Sequence, residues 1–276
     1  SDTEVILKAY QKWGANCLNK FEGMFAFVIW DSYRKKVFGA RDRIGVKPFY
    51  YYNKNKSFTF ASRPSSIVNI NKNLKYQYNI QTINIYLHSG YVPAPYSIYD
   101  GICQLKPGHY LIWDQDGLKI NEWWSSNNIH ENEKFNSLCL NEIIVELNEL
   151  LLASVEKRLV SDVPVGVFLS GGLDSSLIAA MASKLNKSKI RTYSIGFKDK
   201  NYDESHYSSM VAKHIKSNHR MKILNPEDLL DLLGDFESKF DEPFSDSASF
   251  PMLAISKFAR NDVKVVLSGD GSDELF

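Results

Sequence analysis

Residues 165–180 read VGVFLSGGLDSSLIAA, an apolar run that stops at a small polar loop and restarts as an Ala-rich apolar run. That is the shape of a strand, a loop and a helix. Val165, Val167, Phe168 and Leu169 are β-branched or large, as a strand buried on both faces requires. Gly171 and Gly172 permit positive φ and close backbone approach, and Asp174, Ser175 and Ser176 suit a helix start. Leu177, Ile178, Met181 and Leu185 then recur at helical spacing. A helix start behind a glycine turn offers free N–H groups and a favourable dipole to an anion.

The residues of the loop narrow the choice of anion. A nucleotide P-loop, G-x-x-x-x-G-K-[ST], places its Lys on the β and γ phosphates. No Lys lies between Arg158 and Lys184. The order S-G-G-x-D-S over Ser170–Ser175 instead resembles the pyrophosphate loop (PP-loop) of the ATP pyrophosphatase group. The resemblance implies a loop that grips the β and γ phosphates while the α phosphorus is attacked, so that AMP is transferred and pyrophosphate leaves. The plain alternative is an ordinary strand-to-helix turn.

Strand and helix patterns alternate around this stretch. A helical stripe of Leu138, Ile143, Leu147, Leu150, Leu151 and Val155 runs to about Val160. After helix 175–185 come strand 190–195, a helix from about Glu204 to Ile215 with Asp203 as cap, and strand 219–223. A helix opened by Asn225-Pro226 follows, then helix 249–260 and strand 263–267. Such alternation predicts a doubly wound parallel sheet covered on both faces, with ligands beyond the carboxyl ends of its strands. Three loops should meet there: Ser170–Ser175, Gly196-Phe197 and Ser268–Glu274. Asp241-Glu242-Pro243 reads as a helix end stopped by Pro, with lining of a substrate pocket as the minor alternative.

The composition bounds the rest. At 276 residues, with 44% hydrophobic and 24% charged side chains, the chain has room for about two domains. Its 33 basic and 32 acidic side chains leave no electrostatic footprint for nucleic acid or an anionic membrane. No apolar run approaches membrane-spanning length and no signal-peptide pattern opens the chain, so the cytoplasm is the default expectation. Cys17, Cys103 and Cys139 are too scattered for a disulfide framework or a CxxC metal site.

In the first region, Ser1-Asp2-Thr3-Glu4 has the spacing of a capping box ahead of Val5, Ile6, Ala9, Tyr10 and Trp13, which share a helix face stopped by Gly14. Segments 24–31, 36–41, 48–52 and 58–61 read as an antiparallel meander, 79–88 as a helix, and 109–113 with 118–123 as a hairpin around Asp116-Gly117. Arg41, Asp42, Arg43 and Lys47 form its densest charge cluster. By themselves they read as a solvated strand end.

Residues 21–51, FEGMFAFVIWDSYRKKVFGARDRIGVKPFYY, resemble part of the N-terminal-nucleophile glutaminase domain of class II glutamine amidotransferases, in the form seen in glutamine-hydrolysing asparagine synthetases. Ser1–Glu4 resembles the same family's S-D-x-E segment. The resemblance implies an αββα glutaminase portion over residues 1–124, a polar linker over 125–134 that includes His130, and an adenylating synthetase domain over 135–276, both domains incomplete and the chain an internal fragment. It would equally place Arg41, Asp42, Arg43 and Lys47 near a contact between the two domains. It implies that Asp2 holds the α-amino group of glutamine, although its charge would also favour a helix N-terminus. The family's Cys nucleophile would precede Ser1. Ser1 itself reads as a cap, so the glutaminase half is not expected to work in this fragment.

For the second domain, the resemblance implies ATP binding by Leu169, Ser170, Gly171, Gly172, Asp174, Ser175, Ile195, Ser268 and Gly269. Ile195 would serve adenine through its backbone. S-G-D-G-S-D-E over 268–274 matches the family's S-G-[DE]-G-x-D-E loop, with Asp270 supporting the acyl-adenylate. Asp174 and Asp270 are the expected Mg²⁺ carboxylates, because Mg²⁺ takes one or two carboxylates beside phosphate and water oxygens. Calcium ranks low for this loop, which lacks EF-hand spacing. The implied substrates are ATP, aspartate and glutamine, with no nucleic acid, no membrane and a homodimer left open. A related amidotransferase acting on a sugar, peptide or β-lactam-type acid, and a non-catalytic nucleotide-binding remnant, are the competing readings.

Overall fold

The computed structural model describes residues 1–71, 77–128, 138–186, 188–201 and 203–275. Two compact units emerge: unit 1 is Ser1–Glu131 with Phe240–Asp246, and unit 2 is Asn132–Lys239 with Ser247–Phe276.

Unit 1 opens with helix α1 (Asp2–Trp13), ended by Gly14 at φ 57° and followed by a 3-10 stretch over Gly14–Lys20. Ser1 occupies the cap position without a side-chain hydrogen bond, so the expected capping box is not formed. Ile6, Ala9 and Tyr10 face the core, whereas Val5 and Trp13, assigned to that face from the sequence, are 61% and 40% exposed. The helix is turned so that i, i+3 and i+4 positions pack.

The strands do not form one meander. β1 (Ala26–Asp31), β2 (Lys36–Arg41), β6 (His109–Asp114) and β7 (Gly117–Glu122) make one antiparallel sheet in the order β1-β2-β6-β7. β3 (Tyr50–Lys54), β4 (Ser57–Ala61) and β5 (Ile102–Gln104) make a second, in the order β4-β3-β5. Alternation explains the layering. Phe27, Ile29, Phe38, Tyr110 and Ile112 point at α1, while Val28, Val37 and Leu111 meet Phe49, Tyr51 and Phe58 of the second sheet. Tyr50 and Tyr52 point the other way, onto Ile67 and Val68 of helix α2 (Pro64–Ile70). The layers are therefore helix, sheet, sheet, helix. Phe49 lies over Gly39 so closely that a Cβ there would stand 2.8 Å from its ring. Helix α3 (Ile80–Ser89) is capped by Asn79, whose side chain accepts from Thr82 N–H.

The charge cluster is not a solvated strand end. Arg41 and Asp42 are 7% and 1% exposed. Arg41 donates to the carbonyls of Lys47, Gly45 and Leu105, and Asp42 accepts from the amides of Phe25, Val46 and Lys47. Arg43 donates to Phe21 O and lies over the Trp123 ring.

Most of the expected linker, including His130, falls outside the described residues. Unit 2 begins with α4 (Leu140–Leu159), whose core face is Leu151, Leu152, Val155 and Leu159; Ile143 and Leu150 of the expected stripe are 37% and 60% exposed. β8 (Val165–Phe168), β9 (Arg191–Phe197), β10 (Asn218–Leu224) and β11 (Val265–Leu267) form a parallel sheet in the order β10-β9-β8-β11. Between them run α5 (Leu173–Leu185), α6 (Ser205–His214), α7 (Pro226–Leu230), α8 (Leu233–Lys239) and α9 (Ser249–Ala259). Val167, Leu169, Ala179 and Ala182 pack with α4, and Tyr193 packs with Ile255 and Ala259 on α9. The fold is mixed α/β, with the parallel sheet in unit 2.

No helix among the described residues is long and apolar enough to cross a membrane.

Candidate functional site

The loop after β8 is built by short polar contacts. Ser170 N–H donates to Ser175 Oγ at 3.2 Å, the two hydroxyls stand 2.8 Å apart, and Gly172 N–H donates to Ser170 Oγ at 3.2 Å. The first i→i−4 bond of α5 runs from Ser176 N–H to Gly172 O at 3.1 Å. The amides of Leu173, Asp174 and Ser175 therefore belong to the first turn, where helix N–H groups lack intrahelical acceptors. Gly171 sits at φ 95°, and a Cβ there would lie 2.6 Å from Ser208 N at the start of α6. Only glycine fits that conformation and that approach.

The loop after β11 closes on the same place. A Cβ on Gly269 would stand 2.7 Å from Ser175 N and 3.0 Å from Asp174 Cβ, so this backbone lies directly against the start of α5. Ser268 Oγ donates to Asp270 at 2.7 Å, and Ser272 caps the turn through Gly269 O. On the other side, Ser194 Oγ donates to Leu169 O, and Leu169 N–H donates to Tyr193 O.

These carboxyl-end loops surround a cavity of about 470 Å³. Of the expected nucleotide positions, Leu169, Ser170, Gly172, Asp174, Ser175, Ile195, Ser268 and Gly269 line it, together with Asp270. Gly171 does not, because it is turned onto α6. The Leu169 backbone is already engaged, its N–H by Tyr193 O and its C=O by the Ser194 hydroxyl. Gly196-Phe197 is the end of β9 rather than a loop, and Gly196 is held by Ile223 and Asp203 at 2.6 and 2.9 Å from its would-be Cβ. Asp203, expected to cap this helix, lies one residue before the observed cap position, Glu204, which makes no side-chain cap hydrogen bond; the Asp203 carboxylate instead ties the turn together by accepting from Phe197 N–H and Ser205 N–H. Those bonds, the one from Phe197 foremost, hold its pKa below the ordinary value.

The cavity has an apolar wall the sequence reading did not identify: Phe197, Pro251, Met252 and Ile255, with Ala248 at the head of α9. Their helical spacing is indistinguishable from that of a core face. Glu204 on the adjoining turn, and Asp273 and Glu274 on the last loop, were missed as well. The acidic pair before α6, at the carboxyl end of β9, is the signal that could have pointed to Glu204.

Asp241 and Glu242 do not line the cavity. They are grouped with unit 1, where Asp241 binds Arg63 and the Ser65 amide and Glu242 binds Ser97 and the Ile98 amide. Asp2 stands exposed in the first turn of α1, also in unit 1.

Among the described residues, no group of three or more His, Cys, Asp or Glu side chains is placed to hold a metal by itself. Asp174, in the first turn of α5, and Asp270, on the loop after β11, fit a less demanding ion. Mg²⁺ keeps much of its shell as phosphate and water oxygens and needs only one or two carboxylates.

Two family descriptions match the chain: a glutamine amidotransferase domain over residues 1–124 and asparagine synthase over residues 146–276. The protein named "Putative asparagine synthetase (glutamine-hydrolyzing) 2" of Methanocaldococcus jannaschii is 40% identical over 283 residues, covering 100% of this chain and 53% of its own. The chain belongs to the asparagine synthetase family. Asparagine synthetases (glutamine-hydrolyzing) 1 and 3 of Bacillus subtilis, each 32% identical, also match 100% of the chain and 43% and 46% of their own lengths. The chain thus spans about half the length of the curated relatives it matches. The family is one of ATP-using amidotransferases. The glutamine-dependent NAD+ synthetase of Acinetobacter baumannii, solved with ADP, aligns over 98% of this chain and 64% of its own at 13% identity and TM-score 0.37, a likeness too distant to carry an argument.

Proposed function

We propose that unit 2 is the adenylating half of a glutamine-dependent asparagine synthetase. The observation that carries the reading is the convergence of two loops on one helix start: first-turn amides of α5, the Ser170–Ser175 loop and the Gly269 backbone all border a single cavity. First-turn N–H groups without intrahelical acceptors suit a triphosphate, because fixed dipoles need no reorganisation when charge develops. The adenine would lie against Ile195 and the apolar wall of Phe197, Met252 and Ile255.

The reaction then follows from the groups present. A carboxylate oxygen of aspartate attacks the α phosphorus of ATP, forming an acyl–O–P bond as the bond to the β-phosphate oxygen breaks, and pyrophosphate leaves. Ammonia released from glutamine attacks the acyl carbon, AMP departs with the bonding electrons, and the nitrogen loses a proton. The α5 amides hold the pyrophosphate end. Asp270, which accepts from Ser268 Oγ, would lie at the reacting edge. Asp174 and Asp270 would hold Mg²⁺, which supplies charge neutralisation on the phosphates. For the amidotransferase half, a carboxylate at Asp2 would suit the ammonium group of glutamine. Cytoplasmic location belongs to the same reading.

Exchange of labelled pyrophosphate into ATP by the full-length protein, with Mg²⁺ and aspartate, tests this. Aspartate-dependent exchange is expected. Exchange with a different acid alone would move the assignment to another amidotransferase, a reading favoured by the Gibberella zeae amidase chry2, 28% identical over 100% of this chain. No exchange with any acid would leave a nucleotide-binding remnant.

A further inference from the structure

Residues 240–246 are the one stretch whose neighbours in sequence belong to unit 2 while the stretch itself is grouped with unit 1. Three anchors hold it there. Asp241, with its side chain 8% exposed, binds the Arg63 guanidinium and accepts from Ser65 N–H at 3.0 Å. Glu242 Oε1 accepts from Ser97 Oγ and from Ile98 N–H at 3.2 Å. Ser245 N–H donates to Gly90 O at 2.6 Å, and its hydroxyl meets Tyr86 Oη at 3.3 Å.

The middle anchor differs from the others. Glu242 Oε2 is sealed from solvent and has no hydrogen-bond partner among the described residues. The preceding residue, Asp241, carries a second carboxylate. A buried carboxylate with one bare oxygen beside a like charge is poorly tolerated ionised, whereas the neutral acid keeps both Oε1 bonds without the charge penalty.

We propose that residues 240–246 are a proton-controlled strap: Glu242 in its neutral form keeps them seated on unit 1, and ionisation of Glu242 releases them. The inference concerns unit 1 and stands independently of the reaction proposed for unit 2. Burial, and secondarily the Asp241 charge, push Glu242 from an ordinary 4.5 up to about 7. The titratable and charged groups around it are Asp241 on the strap, Tyr50 on β3 and Tyr99 in the loop before β5. Both phenols are raised by their own burial first, with the Glu242 and Asp241 charges adding to it. Arg41 acts on Tyr50, and Arg63 is engaged by Asp241.

The sign follows from linkage. The seated strap binds a proton at pH values where the released one, with an ordinary carboxyl, has lost it. Seating is therefore strongest below about pH 4.5, weakens as pH rises toward 7 and levels off above, a change on the order of 100-fold in the seating equilibrium. The chain enters the strap from α8, which ends at Lys239, and leaves it into α9, which carries Met252 and Ile255, so release gives slack to both helices.

Amide hydrogen exchange of the full-length protein at pH 5.5 and 8.0, corrected for intrinsic rates, tests the strap at Ser65, Ile98 and Ser245. Their protection is expected to fall at least tenfold at the higher pH, with Phe38 in β2 unchanged as an internal reference. Glu242→Gln, a neutral isostere, should stay protected at both pH values. Ser97→Ala removes a donor to the ionised form and should move the transition to higher pH. Protection that does not change with pH in the natural protein, an unaltered fall in Glu242→Gln, or an unshifted midpoint in Ser97→Ala would overturn the proposal.

Discussion

Two polar clusters, one in each unit, use similar residues to opposite ends. At the Arg41–Asp42 corner of unit 1, one guanidinium is saturated by three carbonyl oxygens and one carboxylate by three amides. Every one of those partners is a backbone group, and burial lowers the Arg41 pKa. At the strand ends of unit 2, Asp174, Asp270 and the first-turn amides of α5 border an open cavity of about 470 Å³ instead. The difference teaches how to separate a structural charge from a functional one. Density of charged residues along the chain does not do it; the number of donors and acceptors left over after folding does.

Substitutions at the two clusters should therefore fail differently. Asp174→Ala in the full-length protein is expected to cut pyrophosphate exchange by about 100-fold or more, the scale seen when a pre-placed electrostatic group is lost, with the urea midpoint little changed. A variant that exchanges at the natural rate would remove the distinction. Asp42→Ala should do the reverse. Three partly buried amides lose their acceptor at once, and unit 1 is expected to lose about 3 kcal/mol in chemical unfolding, because amides bonded to a charged acceptor are costly to strand. A loss below about 1 kcal/mol would show that water reaches the corner.

Gly269→Ala probes the seam between the two loops. Its Cβ would stand 2.7 Å from Ser175 N, so the last loop must back away from the start of α5. Nucleotide affinity measured by titration calorimetry should weaken about tenfold, with a stability change of about 1–2 kcal/mol from overpacking. The smallest effect is expected at His219 on β10. Its Nδ1 lies 2.9 Å from Thr192 Oγ1, its Nε2 is buried without a partner among the described residues, and burial holds its pKa below 6.5. The unfolded chain takes up that proton first as pH falls below 6.5, so stability present above 6.5 is lost on acidification. His219→Gln should flatten the acid side of the unfolding curve. This runs opposite to the Glu242 strap, which acid tightens, so subtracting the variant's curve from that of the natural protein isolates the histidine.

How much of this was legible beforehand depended on how local the cause was. The strand, turn and helix over Val165–Leu185 could be read because each preference, apolar run, glycine and small polar starter, lies within a few residues of the next. The pairing of β2 with β6 could not, since Gly39 meets Leu111 across more than seventy positions and nothing near either residue announces the other. Arg41 and Asp42 read as surface because charge usually does, and only the folded corner supplies their backbone partners. Helix α2 carried a signal that went unused, Pro64 at its first position. Met252 and Ile255 illustrate a harder limit. One spacing serves both a buried face and a cavity wall, and only the placement of the strand ends tells them apart.

Gly171 has a final consequence. Its backbone rests against Ser208 at the head of α6, with no space behind it for even a methyl group. If the proposed triphosphate binds there, a loop braced in that way has little room to tighten around it, and discrimination would rest on whether the anion already has the right length and charge. A shortened analogue that stops at the α phosphorus would leave the braced end vacant and forfeit the benefit of its rigidity.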